Sequence, residues 1–277
     1  MPIKIYNKNT AGRRFSSAQD FSDITKTEPE KSLLVIQKRT GGRNARGIIT
    51  VRHQGGGARR YIRVIDWKQQ DHVDEPARVA AIEYDPNRGA RIALLEYPKG
   101  DKRYILAPLD IHVGQTILAS RQRIEARVGN RMPLTHIPVG MMVHSIELIP
   151  GAGGVLARGA GMSAQVMAVE GGHAQIRLPS GEVRKIPEAC NATVGMLSNP
   201  DWRHVRWGKA GRTRHRGVRP SVRGKVMNPV DHPHGGGEGK HPIGLKHAKT
   251  PWGKPALGVK TRKAKKWTNR MIVQRRK

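Results

Sequence analysis

The sequence predicts a mainly β chain, two small β-barrels that carry long extended basic arms at the N- and C-termini. Three observations lead there. Short apolar runs of five to eight residues recur between turns rich in Gly, Pro, Asp and Asn, while long helical periodicity is absent. Charge is segregated: residues 1–74 carry 15 Lys+Arg and 7 Asp+Glu, residues 75–195 carry 14 and 11, and residues 196–277 carry 22 and 3. Glycine and proline are densest where the charge is highest, which suits a chain that turns sharply beside a polyanion.

In chain order, residues 1–45 read as a basic arm and 46–125 as a first barrel. Gly47–Arg52 and Arg60–Asp66 are expected to be its early strands. Arg78–Tyr84, Arg91–Tyr97 and Arg103–Ala107 follow as an antiparallel meander, joined by DPNRG and PKGD turns, and Val113–Leu118 closes the set. This number of strands is typical in size of an oligonucleotide-binding fold. Residues 126–197 read as a second barrel, with strands expected at Met141–Leu148, Ala164–Glu170, Ala174–Leu178 and Glu182–Ile186 and turns at Gly171-Gly172 and Pro179-Ser180-Gly181. Residues 198–277 form the second arm. Apolar residues are too sparse in both arms to offset ordering entropy, so they are expected to order on a partner.

The formal charge of +30 over 277 residues selects a polyanionic partner, nucleic acid before an anionic membrane. No apolar run of membrane-spanning length exists, and no amphipathic helix is readable that would carry the Trp/Arg segment onto a lipid surface. The single cysteine, Cys190, excludes an internal disulfide framework. The opening MPIKIYNKNTAGRRF lacks an apolar signal core, and the expectation is a cytoplasmic protein.

Three segments carry a resemblance. YDPNRGARIAL at 84–94, GAGGVLARGAG at 151–161 and MNPVDHPHGGGEGK at 227–240 resemble the bacterial-type "L-two" family of large-subunit ribosomal proteins. The resemblance runs over nearly the whole chain and is weakest at 244–249 and at the extreme C-terminus. It implies an oligonucleotide-binding-like barrel followed by an SH3-like one, with arms embedded in large-subunit rRNA. It also implies a structural role in assembly, subunit association and the peptidyl-transferase centre. The partners implied are large-subunit rRNA, small-subunit rRNA at the intersubunit face and neighbouring ribosomal proteins, with no membrane. No cofactor is expected beyond Mg2+ or K+ held through the RNA.

Arg88 sits in a proline-led turn that projects its guanidinium outward, where it can take a phosphate or a guanine edge; the competing reading is a solvated turn arginine. Arg91, on the following strand, is a weaker case for the same contact, the competing reading being a solvent-facing strand residue. Arg158 anchors a glycine-dense loop whose bare backbone would let RNA approach closely; Gly159-x-Gly161-x-x-Ala164 imitates a dinucleotide fingerprint, but no βαβ pattern surrounds it. Trp202, Arg203, His204, Arg206, Trp207, Lys209, Arg212, Arg214, His215, Arg216, Arg219 and Arg223 interleave cations with rings that can stack on unpaired bases. His232, His234, Gly235, Gly236, Gly237 and Lys240 form a proline-stiffened loop suited to penetrating folded RNA. The histidine spacing suits neither a metal nor, given that Asp231 is merely adjacent in sequence, an acid–base pair. Direct catalysis of peptidyl transfer through His232 is the alternative to a non-enzymatic role. The run from Lys260 to Lys277 reads as diffuse phosphate neutralisation.

Overall fold

A computed structural model describes residues 3–238 and 240–276. Its strands begin with two short pairs: β1 (Ile3–Ile5) with β2 (Ser17–Gln19), and β3 (Leu34–Ile36) with β4 (Tyr61–Arg63). The meander follows as β5 (Ala77–Glu83), β6 (Ile92–Glu96) and β7 (Lys102–Leu106), within two residues of expectation, and β8 (Thr116–Ile117) completes a sheet of order β7-β6-β5-β8. β6 is buried on both faces. Ala93 and Leu95 enter one apolar cluster with Ala77, Val79, Ile105 and Ile117, while Ile92 and Leu94 enter another with Ala81, Tyr104 and Leu106.

The division depends on a β-bulge. Ala77, Val79 and Ala81 share a parity that would put them on one face, but the register jumps from Val79 opposite Leu95 to Ala81 opposite Leu94. The extra residue turns Ala81 to the other face. One strand thereby feeds two cores.

The second body is a seven-stranded curled sheet. Its strands are β9 (Arg131–Pro133), β10 (Met142–His144), β11 (Ala164–Glu170), β12 (His173–Arg177), β13 (Val183–Pro187), β14 (Asn191–Val194) and β15 (Ile272–Gln274), in the order β15-β13-β12-β11-β10-β14-β9. The β11–β12 hairpin turns on Gly171 and Gly172, both with φ positive (58° and 77°). Consecutive left-handed residues match the twist of the flanking strands and favour glycine. Val143, Val166, Ile176, Ile186, Ala192 and Val194 meet Met132, Leu134 and Cys190 in its core. The architecture is mainly β, with one six-residue helix, α1 (Ala210–His215), among the described residues.

A buried ion pair organises the rim of the second body. Arg131 Nη2 donates to Glu147 Oε1 at 2.9 Å, and Arg131 Nη1 donates to the Ser145 carbonyl at 3.0 Å. Glu147 also accepts the backbone N–H groups of Gly151, Gly153 and Asn191 at 3.0–3.2 Å. Four donors on one buried carboxylate offset its desolvation.

Two expectations are corrected. Gly47–Arg52 is not a strand of the first barrel: these residues are exposed turns, tied to 42–44 by an Arg43–Ile49 bridge and by the Thr50 and Val51 N–H groups donating to the Gly42 carbonyl. The apolar pattern there is too short and too glycine-flanked to bury a face. The C-terminal arm is not separate from the second barrel throughout either, because Ile272–Gln274 pairs with the edge of β13.

The chain forms two compact units. The larger takes in Arg59–Lys209 with the described residues up to Lys38 and from Arg270 onward, and holds both sheets; the smaller is Arg39–Ala58 with Ala210–Asn269. In the smaller unit, Gly55 N–H donates to the Gly217 carbonyl at 2.9 Å, Ala58 N–H to that of His215 at 2.8 Å and Arg219 N–H to that of His53 at 2.9 Å. The Arg39 guanidinium ties down the carbonyls of Gly56, Gly57 and Ala58. Among the described residues every buried apolar side chain lies in the larger unit, and the smaller contributes only His232 to the buried set. No helix among the described residues is long and apolar enough to cross a membrane.

Two histidines give opposite pH signatures. His144 is buried, its Nδ1 2.9 Å from the Gly195 carbonyl, and burial pushes its pKa down from 6.5 to about 4. Its contribution to stability is complete above pH 6.5 and lost as pH falls toward 4. The slope from this one group is about 1.4 kcal/mol per pH unit. Denaturant midpoints measured across that window are expected to fall less steeply in His144→Asn, whose amide nitrogen can replace Nδ1. His72 bonds Glu75 through Nδ1 and Asp101 through Nε2, both at 2.7 Å, and stacks on Tyr97. The hydrogen bond to Glu75, aided by Asp101, raises its pKa. Its contribution is complete below pH 6.5 and fades as pH rises through the elevated value. Imidazole NMR is expected to find its titration midpoint above that of an ordinary histidine.

Candidate nucleic-acid interface

Sequence-distant residues converge at Trp67, on the segment that follows β4. The Arg88 guanidinium lies 5.5 Å from the Trp67 ring centroid and that of Arg158 lies 4.5 Å from it. Arg88 comes from the β5–β6 turn, whose Asp85 is buried and accepts both Arg88 Nε at 2.5 Å and Asn87 N–H at 2.9 Å. Arg158 comes from the glycine-dense loop after β10 and is exposed. The next residue in the turn, Gly89, packs against Trp202, where an added Cβ would sit 2.8 Å from the indole; the Gly89 carbonyl accepts Asn199 Nδ2 at 2.7 Å. Trp202 in turn meets Trp207 edge-on at 5.5 Å. Trp67, Arg88, Arg158, Trp202 and Trp207 are thus linked through one surface of the larger unit.

The glycine-dense loop is explained differently from expectation. A Cβ on Gly154 would lie 2.5 Å from the Ser145 carbonyl oxygen, and one on Gly161 2.4 Å from Pro200 Cα. Gly154 N–H also donates to the Trp67 carbonyl at 2.9 Å. These glycines let protein backbone approach protein backbone, and the loop fastens the two sheets together at Trp67. The first-body strand expected over Arg60–Asp66 ends just before this tryptophan, which sequence reasoning passed over. Its signal was a lone aromatic at a strand end between Asp66 and Lys68.

Arg91 fits neither the RNA contact nor the solvent-facing alternative: its side chain is 1% exposed. Nε and Nη2 donate to both carboxylate oxygens of Asp23 at 2.8 and 3.1 Å, and Nη1 donates to Gln19 Oε1 at 3.0 Å. Phe21 and Tyr84 flank the guanidinium at 5.1 and 5.9 Å. Arg91 therefore clamps the N-terminal segment onto the first sheet. A basic residue at alternating spacing looks solvent-facing only while the covering segment, 19–23, is ignored.

Past Trp207 the basic residues divide between the units. Arg203, Arg206 and Lys209 are exposed on the larger; the Arg206 backbone is held by Ser17, whose N–H donates to the Arg206 carbonyl and whose Oγ accepts the Arg206 N–H, each at 2.9 Å. In the smaller unit His215, Arg216, Arg219, Arg223 and Lys240 are exposed and Arg212 and Arg214 half-buried. This unit carries 19 Lys+Arg against two acids, Asp231 and Glu238, in 80 residues. Such a surface draws phosphates and releases their counterions.

The histidine loop is internally knit. His232 is 7% exposed, and its Nδ1 accepts the His234 N–H at 3.0 Å, so that nitrogen carries no proton. An added Cβ on Gly224 would lie 2.5 Å from the His232 ring. His234 Nε2 accepts the Lys249 N–H at 2.8 Å. Gly235 closes against the Asn228 carbonyl, 2.3 Å from where a Cβ would stand, and Gly236 N–H donates to the Met227 carbonyl at 3.1 Å. The two rings bind the loop's own backbone, and Asp231, Pro233, Gly237, Glu238 and Lys240 are exposed.

Two family models match the chain: Ribosomal Proteins L2, RNA binding N-terminal domain, over residues 30–119, and Ribosomal Proteins L2, C-terminal domain, over residues 127–253. The first match contains Trp67 and Arg88, and the second contains Arg158, the Trp/Arg segment and the histidine loop. The four-stranded sheet and all of the seven-stranded sheet except β15 fall within these two stretches, and the chain belongs to the L2 family of ribosomal proteins.

Proposed function

We propose that this chain is a scaffold whose smaller unit threads between large-subunit rRNA helices and whose larger unit also binds the RNA, supporting assembly, subunit association and the peptidyl-transferase centre. Its family is one of RNA-binding structural proteins of the large ribosomal subunit. The observation that carries the finer reading is the smaller unit itself: 19 basic residues, two acids and no buried apolar side chain among the described residues. A body without an apolar core and with unopposed charge gains its stability from a counter-charged partner. On the larger unit Arg203, Arg206 and Lys209 are exposed cations of the same kind, and Trp202 and Trp207 add rings that can stack on bases.

Recognition on this reading is by phosphate and shape, with little base-edge readout. Catalysis belongs to the RNA, and His232 shapes the loop. Its buried ring and its bond to the His234 N–H support a role in folding the loop around Asn228.

Two outcomes test this. Affinity of the full chain for large-subunit rRNA is expected to fall roughly a thousand- to hundred-thousand-fold between 50 and 200 mM salt if six to ten phosphates are contacted. Filter binding across that range measures it, and a flat profile would end the electrostatic reading. For His232→Gln, subunit occupancy is expected to fall, while peptide-bond formation in correctly assembled subunits changes by less than about tenfold, the size of a modest positioning effect. Quantifying occupancy by mass spectrometry beside single-turnover kinetics separates the two. Full occupancy with a several-thousand-fold slower step would instead support catalysis.

A further inference from the structure

We infer that Trp67 makes Arg88 and Arg158 into one phosphate-binding site, acting as a positioning residue that holds both guanidiniums. The inference rests on the proposed reading of this chain as an rRNA-binding scaffold. Their distances to one indole centroid, 5.5 and 4.5 Å, place the two guanidinium carbons no more than about 10 Å apart. Like charges at that spacing repel, and an exposed arginine otherwise samples many rotamers. The indole face offsets both effects, because its quadrupole attracts a guanidinium and its ring fixes where that cation rests.

The remaining donors face the right task. Arg88 uses Nε on Asp85, and among the described residues neither of its Nη atoms has a hydrogen-bond partner. Arg158 has no hydrogen-bond partner for its guanidinium among the described residues. Asp85, fully buried, accepts Arg88 Nε and also the Asn87 N–H, so it orients Arg88 from behind. Trp67 itself is fixed from below: its carbonyl accepts Gly154 N–H, and Gly153 packs against its Cβ, where a methyl would stand 3.2 Å away. The loop that delivers Arg158 is therefore registered on the same residue that receives the guanidinium. Two free donor sets, presented together, suit one phosphate or two neighbouring phosphates of a single strand.

The test uses the full chain and in vitro transcribed large-subunit rRNA, with affinity measured at several salt concentrations. Trp67→Leu keeps apolar bulk and removes the quadrupole; Trp67→Phe keeps a ring. Trp67→Leu is expected to weaken binding roughly tenfold and to reduce the magnitude of the salt slope toward that of a chain with one fewer phosphate contact, although no charge has been removed. Trp67→Phe is expected to recover both within about twofold. Arg88→Ala and Arg158→Ala are expected to be less than additive with each other and with Trp67→Leu, as members of one site. Equal thermal midpoints and near-ultraviolet circular dichroism for the Leu and Phe variants confirm that folding is shared. If Trp67→Leu matches wild type while either arginine variant is impaired, or if the Leu and Phe variants are equally impaired, the positioning role is overturned. If neither arginine variant is impaired, the reading of this surface as an rRNA contact fails instead.

Discussion

The constraint that governs this protein is a shortage of acids. With 51 basic residues and 21 acidic ones, most cations cannot be paired within the chain, and the structure places the acids where pairing matters for folding. Glu147 meets Arg131, Asp23 meets Arg91, Asp85 meets Arg88 and Asp101 meets His72 and Arg103, all in the larger unit. Those pairs let the larger unit enclose apolar cores beneath basic residues. The smaller unit holds two acids and encloses no apolar core among its described residues, so its conformation rests on backbone hydrogen bonds and turn geometry. Phosphate is the counter-charge that such a unit lacks.

Not all of these pairs carry equal weight. Arg127 and Glu125 are about two-thirds exposed at 2.8 Å, and solvent screening leaves exposed pairs of this kind little influence on stability. Arg131 and Glu147 are buried, and removing one partner from such a pair costs about 3–5 kcal/mol because the other is left charged and unpaired. Glu147 additionally gathers the backbone of Gly151, Gly153 and Asn191. Its carboxylate is therefore a structural node: it fixes the loop that fastens the two sheets and presents Arg158. The Arg91 clamp serves the first body in the same way by holding residues 19–23 over Tyr84.

Most of the sheet architecture was readable because β5, β6, β7, β11, β12 and β13 are at least five residues long and bounded by Gly, Pro or Asp turns. The three- and four-residue strands β3, β9, β14 and β15 were not, since so few residues display no period of their own. The bulge at Val79–Ala81 was also hidden: alternation in β5 continues in sequence while the faces exchange in space. For the site, Arg88, Arg158 and the Trp/Arg segment were legible by residue type. Trp67 was not, because its significance comes from two cations delivered by loops distant in sequence. Arg91 misled for the converse reason, as the acid that buries it, Asp23, lies 68 residues upstream.

The same closeness joins folding to recognition. Gly154 touches the Ser145 carbonyl, donates to Trp67 and lies four residues before Arg158, so one short loop seals the contact between sheets and carries a cation to the surface. A larger side chain at Gly154 would have to push Ser145 away, and Ser145 is also the residue whose carbonyl Arg131 holds. Displacement would then run from the loop to the buried ion pair, and from there to Glu147 and back to the loop's own N–H groups. Such a circuit is stiff because each member has its partners fixed by others. Stiffness suits a surface that must meet the fixed phosphate spacing of folded RNA, where a cation held in place loses less freedom on binding than one on a mobile loop. Glu147 and Asp85, buried in the larger unit, therefore serve the RNA-facing surface indirectly, by holding the loop and the turn that carry Arg158 and Arg88.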